Sequence, residues 1–400
     1  MGQKCTVMGG NYLLPGAFKL SVPEDSDETP SMTSTVEPTF PLEIQHHIVD
    51  MLEDCPEALR HISATSKALL PRARQQIFRT IKIQSFKCIV DLASLLGSRH
   101  CTIPTEADTL ELDFEFPRPG RKLGYDTDTI FGAIMDTFEH FTFSFRSILL
   151  NMPWVYSKNL DWTNLHQCTS LRKFVIAGSH VWLDDITRLL YYTERLEVLI
   201  IDASFKSDSS PSMFTNISNR NPPCRVPPTL KELALSAEAL PFLRWMCHVE
   251  PAVSLNVLRI KIDDIGSHFP NFLWLPTFME RFGGQLVHLY FWFEPGPRFR
   301  ERETHQVLGE TLQCAPKLRQ FKCLLPTPIY EDEIAEFLEF IPPYMRPSMV
   351  LELVCGRDIG VDETPFWEAP SLQACMAASE DGPNAIRVVV TGLELDLMDL

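Results

Sequence analysis

A short run of the form apolar-x-x-apolar-x-apolar returns along most of the chain. Its six clearest copies begin at Leu171, Leu196, Leu230, Leu255, Leu286 and Leu318, which stand 25, 34, 25, 31 and 32 residues apart. The first copy reads Leu171, Phe174, Ile176 and the fifth Leu286, Leu289, Phe291. Alternation at the end of each copy predicts a strand with one face turned to a core. Amphipathic helical stretches fall between the copies, such as Ile186, Leu189 and Leu190 after Asp184, or Val307, Leu308 and Leu312. Weaker copies at Leu110-Leu112-Phe114, Ile148-Leu150, Val350-Leu353 and Ile386-Val388-Val390 carry the array from about residue 105 to 400. Strand, turn and helix recurring in this way predict an α/β solenoid with a parallel sheet, in which no unit buries its apolar face until a neighbour stacks on it. The longest interval holds a Ser/Asn/Pro-rich stretch from Ser207 to Pro228 and reads as an insertion.

Ahead of the array the period changes. Ile44, Ile48, Val49 and Leu52 recur at helical spacing, and Pro56 and Pro71 each open a further helical run. Leu59 and Ile62 share a face of the second, expected to end near Ser66; Ile77 and Phe78 belong to the third, expected to end near Thr80. These three short helices span residues 38–82. A core of roughly forty residues is too small to stand comfortably alone, so apolar surface is left for a partner. Residues 19–39 hold Pro23, Pro30, Pro38 and the acidic knot Glu24-Asp25-Ser26-Asp27-Glu28. Such a stretch buries too little to offset the entropy of ordering it, and residues 1–37 are expected to be a disordered tether.

Within each strand of the array, the second and third apolar residues point inward and their neighbours point to the other, concave face. That outward column reads Val175, Ile200, Ala234, Arg259, Tyr290 and Lys322, apolar at one end and basic and aromatic at the other. Residues 288–293 sharpen it: Leu289, Phe291 and Phe293 turn inward while His288, Tyr290 and Trp292 form an outward strip. Aromatic residues and Arg dominate interface energetics, which makes Arg259, His288, Tyr290 and Trp292 candidate contacts for a protein partner. The competing reading is that the chain's own C-terminal segment covers the strip.

Composition narrows the classes. Lys+Arg 36 against Asp+Glu 52 gives a net charge of −16, which argues against a nucleic-acid backbone as the main partner. Eleven cysteines, an odd and scattered set with no CxxC, point to a reducing compartment, hence to the cytoplasm and/or the nucleus. Pro or charged residues interrupt every apolar run before it reaches membrane-spanning length, so no integral membrane association is expected. The start Met1-Gly2-Gln3-Lys4-Cys5-Thr6 fits an acylation pattern, against an ordinary disordered start. Residues 331–370 carry ten acids and two Arg and read as a solvated surface. Asn216-Ile217-Ser218 matches a glycosylation sequon that a cytosolic chain would not use. No phosphate-binding glycine loop, zinc-protease helix, nucleophile elbow or zinc-spaced Cys/His set is present, so no catalytic residue, cofactor or metal is expected.

Phe40-Pro41-Leu42-Glu43-Ile44, Ile48, the stretch 58–63 and Leu70-Pro71 on to Phe78 resemble an F-box of the kind abundant in mushroom-forming fungi, over about forty residues. Phe40 replaces the usual Leu, Leu69 stands where Trp is common, and Thr65 stands where an apolar residue is commoner; these departures bear on affinity more than on fold. The copies resemble the irregular leucine-rich repeats that follow such F-boxes. Regular repeats place Asn or Cys three residues after the last strand apolar residue. Here those places hold Ser179, Ser204, Glu238, Asp263, Glu294 and Pro326, which implies a distorted array. The resemblance implies a substrate receptor of an SCF-type cullin ubiquitin ligase, itself without catalysis. Phe40, Pro41, Ile44, Ile48, Leu69 and Leu70 would hold a Skp-type adaptor and through it a cullin, and the repeats over 105–400 would hold an unidentified substrate protein. The alternative is a ligase-independent scaffold whose helices merely cap the array.

Overall fold

A computed structural model describes residues 40–99, 101, 103, 106–113, 136–137, 144–151, 165, 168–205, 225–249, 253–262, 272–293, 302–325, 340–342, 350–355 and 386–390. The acylation pattern at Gly2 and Cys5, the segment 1–37, the sequon at Asn216, the turn positions Asp263, Glu294 and Pro326 and most of 331–370 lie outside them. The chain forms two compact units, Met1–Glu111 and Leu112–Leu400.

In the first unit, α1 (Leu42–Asp50), α2 (Pro56–Thr65) and α3 (Leu70–Ile77) enclose a small core of Val49, Leu59 and Ala73, against which Leu52, Ile62, Leu69 and Ile77 pack. Proline sits in the first turn of α2 and of α3, where its missing N–H costs nothing. Pro41 precedes α1, and its carbonyl accepts from the N–H groups of Ile44 (3.0 Å) and Gln45 (3.1 Å). Asp50 at the end of α1 accepts a two-pronged ion pair from Arg72 of α3 (2.6 Å at each oxygen) and a bond from Gln76 at 2.7 Å. The third helix stops at Ile77 rather than near Thr80, because Thr80, Ile81 and Ile83 begin β1 (Thr80–Ile83), where β-branched residues fit a pleated surface. Residues 83–104, which the pattern leaves unassigned, contain α4 (Phe86–Leu96), whose Ser85 cap accepts from the Cys88 N–H. Among its described side chains, Cys88, Ile89 and Leu92 are buried. The carbonyl of Arg79 accepts from Asp108 and Thr109 of β2 (Glu106–Asp113). Cys88 is disulfide-bonded, whereas Cys55, Cys101, Cys168, Cys247, Cys314 and Cys323 are free thiols. The bonded Cys88 runs against the fully reduced state that the cysteine pattern suggests.

The second unit is α/β. Its strands are β3 (Ser144–Asn151), β4 (Lys173–Val181), β5 (Val198–Phe205), β6 (Glu232–Ser236), β7 (Val257–Ile262), β8 (His288–Phe293), β9 (Gln320–Leu325), β10 (Val350–Cys355) and β11 (Ile386–Val390). Among the described residues these nine lie in chain order in one sheet, each parallel to its sequence neighbours. All six clear copies of the motif form strands, β4 to β9. One hydrogen bond repeats at their bases: the N–H following each leading Leu donates to the equivalent carbonyl of the previous copy. It runs Glu197 to Arg172 (2.7 Å), Lys231 to Glu197 (2.9 Å), Asn256 to Lys231 (2.7 Å), Val287 to Asn256 (2.9 Å) and Arg319 to Val287 (2.9 Å). The step from Glu197 to Lys231 is as regular as the rest, and Leu199 sits opposite Leu233, so the long interval between them is an insertion.

Helices α5 (Leu183–Tyr192), α6 (Pro241–Met246), α7 (Leu275–Phe282) and α8 (Arg302–Gln313) fall between strands. The inward strand residues and the apolar helix faces are buried together; Phe242 stacks on Phe205, and Phe272 meets Phe291 and Phe293 edge-on. Chain segments approach so closely that a Cβ on Gly309 would lie 2.7 Å from the Phe340 carbonyl oxygen, which only glycine allows.

One expectation is corrected. Val175, Ile200 and Ala234 do turn away from the inward residues, but they are not an open surface: they are 1%, 2% and 0% exposed and form a second apolar cluster with Leu149 and Val198 against it. The three stand opposite one another on β4, β5 and β6. A contiguous apolar row of that kind is costly to leave in water, and here it is core.

Candidate interaction surfaces

Two features stand out, one in each unit. In the first, burial of Val49, Leu59 and Ala73 uses one side of the helices and leaves the other to solvent. Phe40 is 67% exposed, Ile44 46%, Ile48 45% and Met51 73%, and Leu42 beside them is 46% exposed. Ile44, Ile48 and Met51 recur at i, i+4 and i+7, so they lie along one stripe, and Phe40 stands a turn ahead of Ile44. The stripe is held rigidly: Pro41 fixes the turn into α1, and the Gln45 side-chain amide donates to the Phe40 carbonyl at 2.6 Å. Of the residues singled out in the sequence, Phe40, Pro41, Ile44 and Ile48 are exposed together, Leu70 is half-buried, and Leu69 is drawn onto the internal core. Leu42 and Met51 join the exposed surface without having been singled out. Their apolar character was legible, but only the burial of the opposite side of the helices shows them to be unused.

In the second unit, Arg259, Lys261, His288, Tyr290 and Trp292 are half-buried on the face of β7 and β8 opposite the inward residues. The parallel register sets Arg259 beside Tyr290 and Lys261 beside Trp292. The Arg259 guanidinium lies 5.3 Å from the Tyr290 ring centre, and the Lys261 ammonium lies 5.0 Å from that of Trp292. Both are within cation–π range. His288 stacks on Tyr290 at 6.3 Å. Gln320 of β9 ties the strip together: its Oε1 accepts from the Tyr290 hydroxyl (3.2 Å) and lies 3.1 Å from His288 Nδ1. Glu232 of β6 pairs with Arg259 at 3.1 Å. Glu232 and Gln320 escape a reading based on apolar period, because each precedes the apolar residues of its strand and its role depends on the neighbouring strand.

Three of the described thiols, Cys168, Cys247 and Cys314, do not resemble activated nucleophiles. Burial pushes the Cys168 thiol up to about 11 and the Cys247 thiol likewise up to about 11, and burial first, with Glu280 and Glu310 adding to it, raises that of Cys314. Among the described residues no group of three His, Cys, Asp or Glu could hold a metal ion, and no helix is long and apolar enough to cross a membrane. Neither a protein-family model nor a curated protein matches the chain.

Proposed function

We propose that this chain is the substrate-recognition subunit of a cullin-RING ubiquitin ligase of the SCF type. In this reading residues 38–82 are an F-box that docks a Skp-type adaptor, and residues 105–400 are an irregular leucine-rich-repeat solenoid that holds a substrate protein. The chain then carries no catalysis of its own and works in the cytoplasm and/or the nucleus. The observation that carries the reading is the exposed stripe of Phe40, Ile44, Ile48 and Met51 on helices whose opposite side is already packed. Large apolar side chains in a row on a small helical unit are the usual form of a helix surface completed by another polypeptide. The nine-stranded parallel sheet, with its pinned aromatic strip, supplies a second surface suited to a partner.

Co-expression with a Skp-type adaptor tests the reading. Wild type captures the adaptor. Phe40→Ala weakens capture about tenfold, since a large side chain that is mostly exposed gains on the order of 1.5 kcal/mol on full burial. Ile44→Asp abolishes capture, because it sets a charge in the desolvated centre of the contact. Both variants keep the far-UV circular dichroism spectrum and melting temperature of wild type, because both sites are exposed. If wild type captures no Skp-type adaptor, the helices only cap the array and the chain is a ligase-independent scaffold.

A further inference from the structure

We propose that the apolar stripe of α1 is covered in the free chain by residues 12–20 of the same polypeptide, which an adaptor must displace before it docks. The inference deepens the receptor reading and rests on it only for the adaptor as the competitor. Phe40, Leu42, Ile44, Ile48 and Met51 are 45–73% exposed, a row of large apolar side chains that is costly to leave in water. Twenty positions ahead, Tyr12, Leu13, Leu14, Phe18 and Leu20 make the densest apolar run of residues 1–39.

The connection is direct. Residues 21–39, nineteen in number, run straight into Phe40, the first residue of the stripe. Fully extended they reach roughly 65 Å, and as the coil that their Pro, Ser, Thr and acidic content implies they reach about 24 Å. Helix α1, of nine residues, is about 14 Å long, so the whole stripe lies within that reach. A tether of this length presents the segment at an effective concentration of about 1 mM. A contact with a Kd of about 0.1 mM, too weak to hold separate molecules together, is then closed about ten to one, and it lowers the apparent affinity for an adaptor about tenfold. Chemistry selects residues 12–20 over the rest of the N-terminal region. They carry no carboxylate, and their one charge, Lys19, stands near the end on a long stem that keeps it in water. The knot Glu24-Asp25-Ser26-Asp27-Glu28 would instead set four carboxylates on an apolar surface, beside a helix that carries Glu43 and Asp50 and no Lys or Arg of its own.

The test uses the full chain and two readouts. The first needs no adaptor: dilute hydrogen peroxide oxidises the Met51 thioether to the sulfoxide, itself reduced to water, at a rate that follows exposure and is read by mass spectrometry. Buried Met246 and Met279 are the reference for intact folding. Leu13→Asp with Leu14→Asp and Phe18→Asp is expected to speed Met51 oxidation about fivefold or more, and to tighten capture of a Skp-type adaptor by about the same factor. Leu14→Ala with Phe18→Ala gives a smaller change in the same direction. A photo-crosslinking group in place of Phe18 is expected to attach to residues 40–51 of its own chain. The inference is overturned if Met51 oxidises equally fast in wild type and the triple variant, if its rate responds instead to Asp25→Asn with Asp27→Asn, or if the crosslink falls elsewhere or on a second copy. If the triple variant frees Met51 but neither protein captures an adaptor, the cover stands and the receptor reading falls. If wild type captures the adaptor and the triple variant captures it no tighter, with Met51 unmoved, the cover alone falls.

Discussion

Asp50 joins α1 to α3 through Arg72 and Gln76, and the hydrogen bond from Arg72, opposed in part by burial, holds its carboxyl below the usual 3.8. A carboxylate whose folded pKa is depressed stabilises the fold above its unfolded pKa, and that contribution is lost as pH falls through the folded value. Asp50→Asn is therefore expected to cost about 1 kcal/mol at pH 7, the scale of a partly exposed ion pair, and to cost progressively less below about pH 4. Urea denaturation of both proteins at pH 7 and pH 3 checks this; a gap that stays constant with pH would show that the ion pair is not its source. The pairing was not legible in the sequence. Asp50 and Arg72 are 22 positions apart, and nothing local distinguishes them from solvated charges on their helices. Helical spacing grouped Ile44 and Ile48 with Val49 and Leu52, which lie on the packed side, and Phe40 was singled out only by the resemblance, so the exposed stripe itself was not legible.

At the level of elements, alternation located the strands, and proline marked the starts of α2 and α3. It also assigned Val175, Ile200 and Ala234 to the side away from the inward residues, as found. What alternation does not carry is whether that side meets water. Because Ile200 is core, Ile200→Asp should destabilise the second unit by about 3–5 kcal/mol, as a buried charge without a partner does, while the same change at exposed Asn256 should stay within about 0.5 kcal/mol. Thermal melting distinguishes the two; a small effect at Ile200 would return this part of the sheet to the surface. Helix α4 shows the opposite limit. At 11 residues it is longer than any of α1 to α3, yet the sequence pattern left it unassigned; among its described side chains Cys88, Ile89 and Leu92 are buried.

Across the whole molecule, the regular spacing of copies prescribed a parallel sheet in chain order, since each strand needs its sequence neighbour to cover its edge and its apolar side. Phe291 takes part in this coupling, against Phe272, Phe293 and, across the strand boundary, Phe321. Phe291→Ala should cost about 3–5 kcal/mol and lower the melting temperature by several degrees. A variant as stable as wild type would mean that the aromatic contacts across β8 and β9 do not hold the sheet.

By itself the sequence determined the three helices, the strand positions and their parallel order, because these follow from periods of two and 3.6 that act over a few residues. Only the tertiary structure decided which apolar rows are buried and which remain exposed, and which partners hold Asp50, Arg259 and Tyr290. The reason is physical. A local period sets the side to which a residue turns, whereas its burial depends on what distant parts of the chain bring over that side.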